Sequence, residues 1–289
     1  MNSLRRYRLL PAILLMPVLY LLGWLIALPI GLLFSRVSYN TVSLIGTIFT
    51  FTLFLFVIPV WIRHRWNQNN PWKVIGVSEK NFLNAFEKFT RGIIWSLALL
   101  CPILISILLG PWGQWVGTIK IDDIFNALLL CFGVGFVEEL IFRGWLWGET
   151  SSLFGKRIGL LLQAIIFGLV HINLNTGFIY FVKLFVGLFL LAIFLSIRRI
   201  IDKGSIWGCV GLHGGLVGGW FALNSGLIVI EANPPFALFG IGEIDKNPLA
   251  GFIAIGILFI LILSHRKALG IAFCPFTGAL SASSNGAKP

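Results

Sequence analysis

Residues 121–149 read IDDIFNALLLCFGVGFVEELIFRGWLWGE, an apolar segment of helix length that contains Glu138, Glu139 and Arg143. Placing a charged side chain in hydrocarbon costs about 2.5 kcal/mol or more on insertion scales. Three such groups in one short stretch are therefore expensive unless they pair with one another or take part in chemistry. Because ionisable groups inside membrane segments are functional by default, this cluster is the first candidate for a functional site.

The composition around this segment is that of a membrane protein. Of the 289 residues, 57% are hydrophobic and only 11% are charged, with 26 Phe and 11 Trp. This apolar share exceeds the usual 45–50% or so of soluble domains. Several apolar runs reach the ~20 residues that a membrane-spanning helix needs. The chain is therefore predicted to be an all-α, polytopic membrane protein with a conical or bundled core that houses an intramembrane site.

Eight spans are predicted, together with an interfacial helix near Glu79–Phe89. The first is preceded by Arg5, Arg6 and Arg8, as in a signal peptide, but its apolar run is about twice a normal signal core, so we expect it to be retained. Most of the 22 basic residues fall in alternate loops. This bias predicts that the N- and C-termini are both cytoplasmic. The predicted spans are 11–34, 42–62, 92–110, 124–148, 158–173, 178–197, 205–223 and 249–264.

The chain divides into four predicted regions. Residues 1–120 hold N-terminal transmembrane helices, and 121–224 form the core with the polar cluster. Residues 225–273 comprise an outer loop and the last span, while 274–289 are expected to be a disordered tail.

Two classes of function are disfavoured by composition. The net charge of +11 is explained by loop topology, so no nucleic-acid partner is expected. The four cysteines of the chain are far apart and include no C-x-x-C pair. They are therefore predicted to be packing residues and not a disulfide framework or a zinc cluster.

Two histidines are predicted to lie at the depth of the acidic pair. On a rise of 1.5 Å per residue, Glu138, His171 and His213 lie ~16, ~21 and ~15 Å from the inner ends of their spans. They could therefore meet if these three spans are neighbours. The glycines around His213 form small-xxx-small patterns that allow close helix packing, and the pair Gly133 and Gly135 is expected to act similarly.

These residue types allow several chemistries. Arg143 can pair with Glu139 across one helical turn, which leaves Glu138 as a general base for water. Glu138, His171 and His213 could instead hold a divalent metal such as zinc that activates water. Without a metal, one imidazole would hold the water and the other would donate to an oxyanion. The alternative is structural: an interhelical ion pair beside two core histidines.

Three short motifs occur in order in this region: EELIFR (138–143), FGLVH (167–171) and LHGG (212–215). Together they resemble the CPBP family of CAAX-processing and bacteriocin-processing intramembrane proteases, over residues 121–224. The resemblance implies peptide-bond hydrolysis in a membrane cavity, with a membrane-embedded or lipid-anchored protein or peptide as substrate. It implies that Glu138 activates water, that Glu139 and Arg143 support it, and that His171 and His213 hold the water, a metal or the oxyanion.

One position departs from the family pattern. The third motif often has Asn four residues after its His, and here that residue is Val217. Asn224 is too far along the helix to replace it directly. The departure keeps open an inactive relative that acts as a membrane binding or immunity protein. A proton-coupled transporter is a further alternative, although no paired internal symmetry is visible.

Overall fold

The computed structural model describes residues 3–34, 37–171, 177–231, 235–241 and 247–273. The predicted disordered tail, 274–289, lies outside the described residues. Within these described ranges, five helices are long and apolar enough to cross a membrane, which confirms an all-α polytopic membrane fold. These five are Leu9–Leu33, Tyr39–Trp66, Phe82–Leu109, Ile121–Phe154 and Phe178–Ile201.

Most of the described residues lie in helices. In chain order the α-helices are α1 (Ser3–Leu33), α2 (Tyr39–Trp66), α3 (Pro71–Val74), α4 (Phe82–Leu109), α5 (Ile121–Leu129), α6 (Gly135–Glu139), α7 (Trp147–Phe154), α8 (Lys156–Val170), α9 (Phe178–Ile201), α10 (Trp207–Ala222), α11 (Phe236–Phe239), α12 (Phe252–Ser264) and α13 (Arg266–Phe273). Helices α5, α6 and α7 form one continuous segment, interrupted by π-helical turns at Leu130–Val134 and Leu140–Leu146. A third π-helical turn, Leu223–Leu227, extends α10.

The predicted count of eight spans is not confirmed. The helices at the three remaining predicted positions, α8, α10 and α12, have 15, 16 and 13 residues. They are shorter than the ~20 residues that cross a bilayer. The prediction of a separate interfacial helix near Glu79–Phe89 is wrong, because α4 begins at Phe82 and continues without a break through the predicted span.

The structure also contains a small β-ribbon that the sequence analysis did not predict. Strand β1 (Gly113–Trp115) pairs antiparallel with β2 (Ile228–Ile230), and Gly113 lies opposite Ile230. Three-residue strands are too short to show the alternating pattern by which strands are recognised. The ribbon links the end of α4 to the end of the α10 segment.

Helix α10 lies at the centre of the bundle, and its glycines let neighbouring backbones approach closely. A Cβ at Gly211 would overlap the backbone of Phe89 in α4, and one at Gly214 would overlap the backbone of Cys131. The predicted packing role of these glycines is thus confirmed. A Cβ added at Gly135 would lie 2.8 Å from the Cα of Gly214, so this glycine also allows close packing. A Cβ added at Gly133 would meet no atom within 4 Å, so the prediction for Gly133 is wrong.

Candidate active site

The two π-helical turns flank the acidic pair. They lie on either side of α6, which ends at Glu139. A π-helical turn adds a residue to the helical turn and is frequent at functional sites. Because each such turn rotates the side chains that follow it, the faces of Glu138, Glu139 and Arg143 cannot be read from a regular 3.6-residue period alone.

Glu138 is hydrogen bonded to His171, the residue that caps the C-terminal end of α8. The distance from Oε2 of Glu138 to Nε2 of His171 is 2.9 Å. The other ring nitrogen, Nδ1, lies 2.7 Å from the carbonyl oxygen of Phe167. A carbonyl only accepts, so Nδ1 carries a proton. Nε2 of His171 and the carboxyl oxygen of Glu138 therefore share one further proton between them.

Glu139 binds two partners through the same oxygen. Its Oε1 accepts from Nη1 of Arg143 at 2.8 Å and from Nδ1 of His213 at 2.8 Å. All three side chains are buried. The predicted pairing of Arg143 with Glu139 is thus present, but Glu139 also orients an imidazole. Because Nδ1 of His213 donates to Glu139, the other ring nitrogen, Nε2, faces Oε2 of Glu138, 3.8 Å away.

The ring of Phe167 contacts Arg143 and both histidines of the cluster. The guanidinium carbon of Arg143 lies 4.2 Å from the ring centre of Phe167. The same ring lies 4.5 Å from the ring of His171 and 5.6 Å from that of His213. A cation above an aromatic face is stabilised by the ring quadrupole. Each carboxylate of the cluster has a hydrogen-bonding partner, which limits the cost of its desolvation.

A cavity opens at the two histidines. It has a volume of about 450 Å³, and His171 and His213 line it together with Val217, Trp220 and Asn224. Side chains of Glu138 and His171 keep 23% and 27% of their surface exposed, so solvent or substrate can reach this pair. Most of the remaining wall is apolar, formed by Leu99, Leu100, Ile103, Leu130, Leu188, Leu191, Leu216, Phe221, Pro248, Leu249 and Ala254.

The position that departs from the family pattern faces this cavity. Val217 lies one helical turn beyond His213 and contributes an apolar wall where an amide is common in the family. Asn224 lines the same cavity about 10 Å further along the helical rise, and its Nδ2 donates to the Trp220 carbonyl at 2.9 Å. The structure thus puts Asn224 in the cavity wall but not beside His213.

Arg199 is a buried cation that was not singled out from the sequence. From the end of α9, its guanidinium donates to three backbone carbonyls, those of Gly204 at 3.0 Å, Val74 at 3.1 Å and Arg143. It therefore ties the π-helical turn after Glu139 to two other segments. A basic residue in the last turn of a helix is ordinary in sequence, so no local signal distinguished it.

Glu149, the last residue of the segment 121–149, was also not singled out from the sequence. It is buried and accepts from the indole nitrogens of Trp61 and Trp66 at 2.9 and 2.8 Å. Arg65 forms an ion pair with its other oxygen. These three partners project from the last turns of α2, so Glu149 joins α2 to the segment that carries the acidic pair.

The fit of the cluster to a metal ion is poor. Among the described residues, no group of three His, Cys, Asp or Glu side chains is arranged to hold one. Ligand atoms about 2.05 Å from a tetrahedral metal lie roughly 3.3 Å apart. Glu138 and His171 are closer than this, at 2.9 Å, and are bonded to each other.

Comparison with known families gives two matches. Residues 1–70 match a family described as Domain of unknown function (DUF8676). Residues 120–218 match the family described as Type II CAAX prenyl endopeptidase Rce1-like, and this range includes both glutamates, Arg143 and both histidines of the cluster. No curated protein and no solved structure matches the chain. Residues 120–218 are therefore an Rce1-like domain of the CPBP intramembrane protease family.

Proposed function

We propose that this protein is an intramembrane endopeptidase in which Glu138 activates the water that attacks a peptide bond. The observation that carries the proposal is the pairing of Glu138 with His171 at the edge of a cavity, beside an imidazole oriented by a second carboxylate. A carboxylate bonded to one imidazole, with a second imidazole 3.8 Å away, can supply a base, an acid and an oxyanion donor.

In the proposed reaction, a water molecule enters between Glu138 and His171. Glu138 takes a proton from this water as the oxygen attacks the scissile carbonyl carbon, and His171 holds the water through Nε2. The carbonyl oxygen becomes an oxyanion, which a protonated His213 stabilises through Nε2–H. Glu139 supports the charge on that imidazolium by accepting from Nδ1, and Arg143 forms an ion pair with Glu139. Glu138 then returns its proton to the leaving amine as the C–N bond breaks.

The substrate in this proposal is a membrane-associated protein or peptide, embedded or lipid-anchored. Apolar cavity walls beside the proposed base accommodate a hydrophobic segment better than a soluble, charged peptide. The matching family is described as prenyl endopeptidases, so a prenylated substrate is one member of this class.

The proposal is tested with the full chain in proteoliposomes that carry a library of membrane-anchored peptides. Cleavage in water enriched in oxygen-18 should place the label in each new carboxyl terminus, detected by mass spectrometry. Glu138→Ala and His171→Ala should insert into the membrane but form no labelled termini. Cleavage by Glu138→Ala at the wild-type rate would overturn the proposal.

A second candidate rests on Val217. An apolar residue in the cavity wall one turn beyond His213 removes a side-chain donor that the family often has. A non-enzymatic membrane binding or immunity protein would keep the scaffold and need no turnover. In that case Glu138→Ala would behave like the wild type in a cellular protection or binding assay, and no labelled termini would form with any chain.

A further inference from the structure

A second cavity, separate from the histidine cluster, lies where α9 ends and α10 begins. Its volume is about 670 Å³, and it is lined by residues of α3, the start of α4 and the α9–α10 connection. Five of its lining residues are basic: Lys73, Lys80, Lys88, Arg91 and Lys203. Three are acidic: Glu79, Glu87 and Asp202.

Each acidic group in this cavity already has a cationic partner. Glu79 bonds Lys88 at 2.5 Å, Glu87 pairs with Arg91, and Asp202 pairs with the buried Arg198. Burial raises the pKa of Glu79, but hydrogen bonds from Lys88 and Ser205 outweigh it and hold that pKa below its ordinary value. Glu79 is therefore ionised at neutral pH, and its negative charge balances the positive charge of Lys88.

Three lysines are left over. Lys73, Lys80 and Lys203 are exposed, and none of them forms an ion pair with any residue that the structure describes. They converge on the cavity from three different segments of the chain. The cavity thus presents about three uncompensated positive charges.

The walls of this cavity are fixed in place by backbone contacts between the two connections. Ile206 N donates to the Gly76 carbonyl at 3.0 Å, and the indole nitrogen of Trp207 donates to the Val77 carbonyl at 2.9 Å. Gly76 has φ +86°, and a Cβ there would overlap the carbonyl of Gly204. A shape held this way is preformed, which favours a specific ligand over diffuse counterions.

Apolar side chains flank the cavity on the first turns of α4. Phe82, Leu83 and Phe86 are 77%, 71% and 56% exposed, and Phe82 stacks on Phe86. On the same turns, Asn84, Glu87 and Lys88 face the cavity. One face of this helix start is thus suited to acyl chains and the other to a charged headgroup, as at a membrane surface.

From this juxtaposition we infer that the cavity formed by α3, the start of α4 and the α9–α10 connection binds the phosphate headgroup of an anionic phospholipid. Lys73, Lys80 and Lys203 contact the phosphate oxygens, and Phe82 and Phe86 contact the chains. Basic pockets beside transmembrane helices are suited to such headgroups. This site does not depend on the proposed peptidase activity.

The test measures lipid binding to the full chain purified in a nonionic detergent, by isothermal titration calorimetry. Three probes are compared: dihexanoyl phosphatidylglycerol, dihexanoyl phosphatidylcholine and glycerol 3-phosphate. We expect the anionic lipid to bind more tightly than either of the others. Equal binding of the two lipids would overturn the proposal, and glycerol 3-phosphate binding as tightly as the anionic lipid would show a site for soluble anions instead.

Charge-matched variants locate the site. Each lysine is expected to contribute about fivefold to the affinity for phosphatidylglycerol. The triple variant K73Q/K80Q/K203Q should therefore bind this lipid roughly a hundredfold more weakly. R63Q/R266Q/K267Q removes the same charge from exposed positions elsewhere and should bind like the wild type. An equal loss in both variants would overturn the assignment. Should the triple variant not fold, the single lysine variants decide, each with an expected loss of about fivefold.

Discussion

Oε2 of Glu138 lies 2.9 Å from Nε2 of His171, although the two residues belong to different helices. Nδ1 of His171 donates to the Phe167 carbonyl. The ring is therefore held with Nε2 towards Glu138, and Nε2 and the carboxyl oxygen share one proton. The pair is accessible from the cavity, whereas Glu139 and Arg143 are fully buried. Two adjacent glutamates thus occupy different environments, one suited to meeting water and the other to orienting His213.

Replacing Glu138 by Gln tests the proposed base. Gln keeps the size of the side chain and its hydrogen-bonding ability but cannot accept a proton from water. We expect Glu138→Gln to lower turnover by roughly 10²–10⁴-fold, the usual contribution of a general base. The rate of formation of new peptide termini in proteoliposomes measures this. Asp122→Asn, an exposed acid of the same segment, should keep full activity, and an equally active Glu138→Gln would refute the role.

Variants of the buried pair Glu139–Arg143 should affect the stability of the fold and the activity differently. Arg143→Met leaves a buried carboxylate without its cation, at a cost of about 3–5 kcal/mol in the free energy of unfolding. Glu139→Gln combined with Arg143→Met removes both charges and should recover most of that stability.

The same double variant should stay slow, because His213 has lost the carboxylate that stabilises its imidazolium. Thermal unfolding in detergent and turnover in proteoliposomes measure the two effects. Recovery of activity together with stability would mean that the pair only maintains the fold.

Val217→Asn should restore a donor one turn beyond His213. Removing a single oxyanion donor typically costs 10²–10³ in kcat, so adding one should raise kcat with a smaller effect on KM. Val217→Leu, which keeps the wall apolar, serves as the control. An Asn variant no faster than the Leu variant would show that this position does not reach the oxyanion.

The glycines of α10 should be sensitive to the smallest side chain. An Ala at Gly211 would push against the backbone of Phe89, and overpacking of this kind costs about 1–3 kcal/mol. Gly256 in α12 has no atom within 4 Å of a notional Cβ. Gly256→Ala should therefore be neutral or slightly stabilising, because Ala is the better helix former. Melting temperatures in one detergent compare the two variants, and equal values would contradict the packing argument.

Metal removal tests the choice between the two water-activating chemistries. Glu138 and His171 are bonded directly to each other, so we expect the enzyme to keep its turnover after dialysis against a chelator. Metal content measured before and after dialysis controls for incomplete removal. Loss of turnover that zinc restores would show that the side chains rearrange around a metal.

Much of the fold followed from local sequence. Apolar runs of sufficient length predict membrane helices because a bilayer requires every backbone polar group to be satisfied within the segment. Charged side chains are costly in the same apolar medium, so Glu138, Glu139 and Arg143 marked the candidate site directly. The predicted count of eight spans is not confirmed, because the helices α8, α10 and α12 are shorter than the ~20 residues of a typical span.

The sequence by itself determined the membrane-helical class and marked Glu138, Glu139 and Arg143 as the candidate site, because the cost of burying charge is a local property. Only the tertiary structure decided that His171 meets Glu138 and His213 meets Glu139. That choice depends on the rotation of α6 between its two π-helical turns and on the approach of α10 through its glycines. Contacts between helices distant in sequence set both, so no window of the sequence contains them.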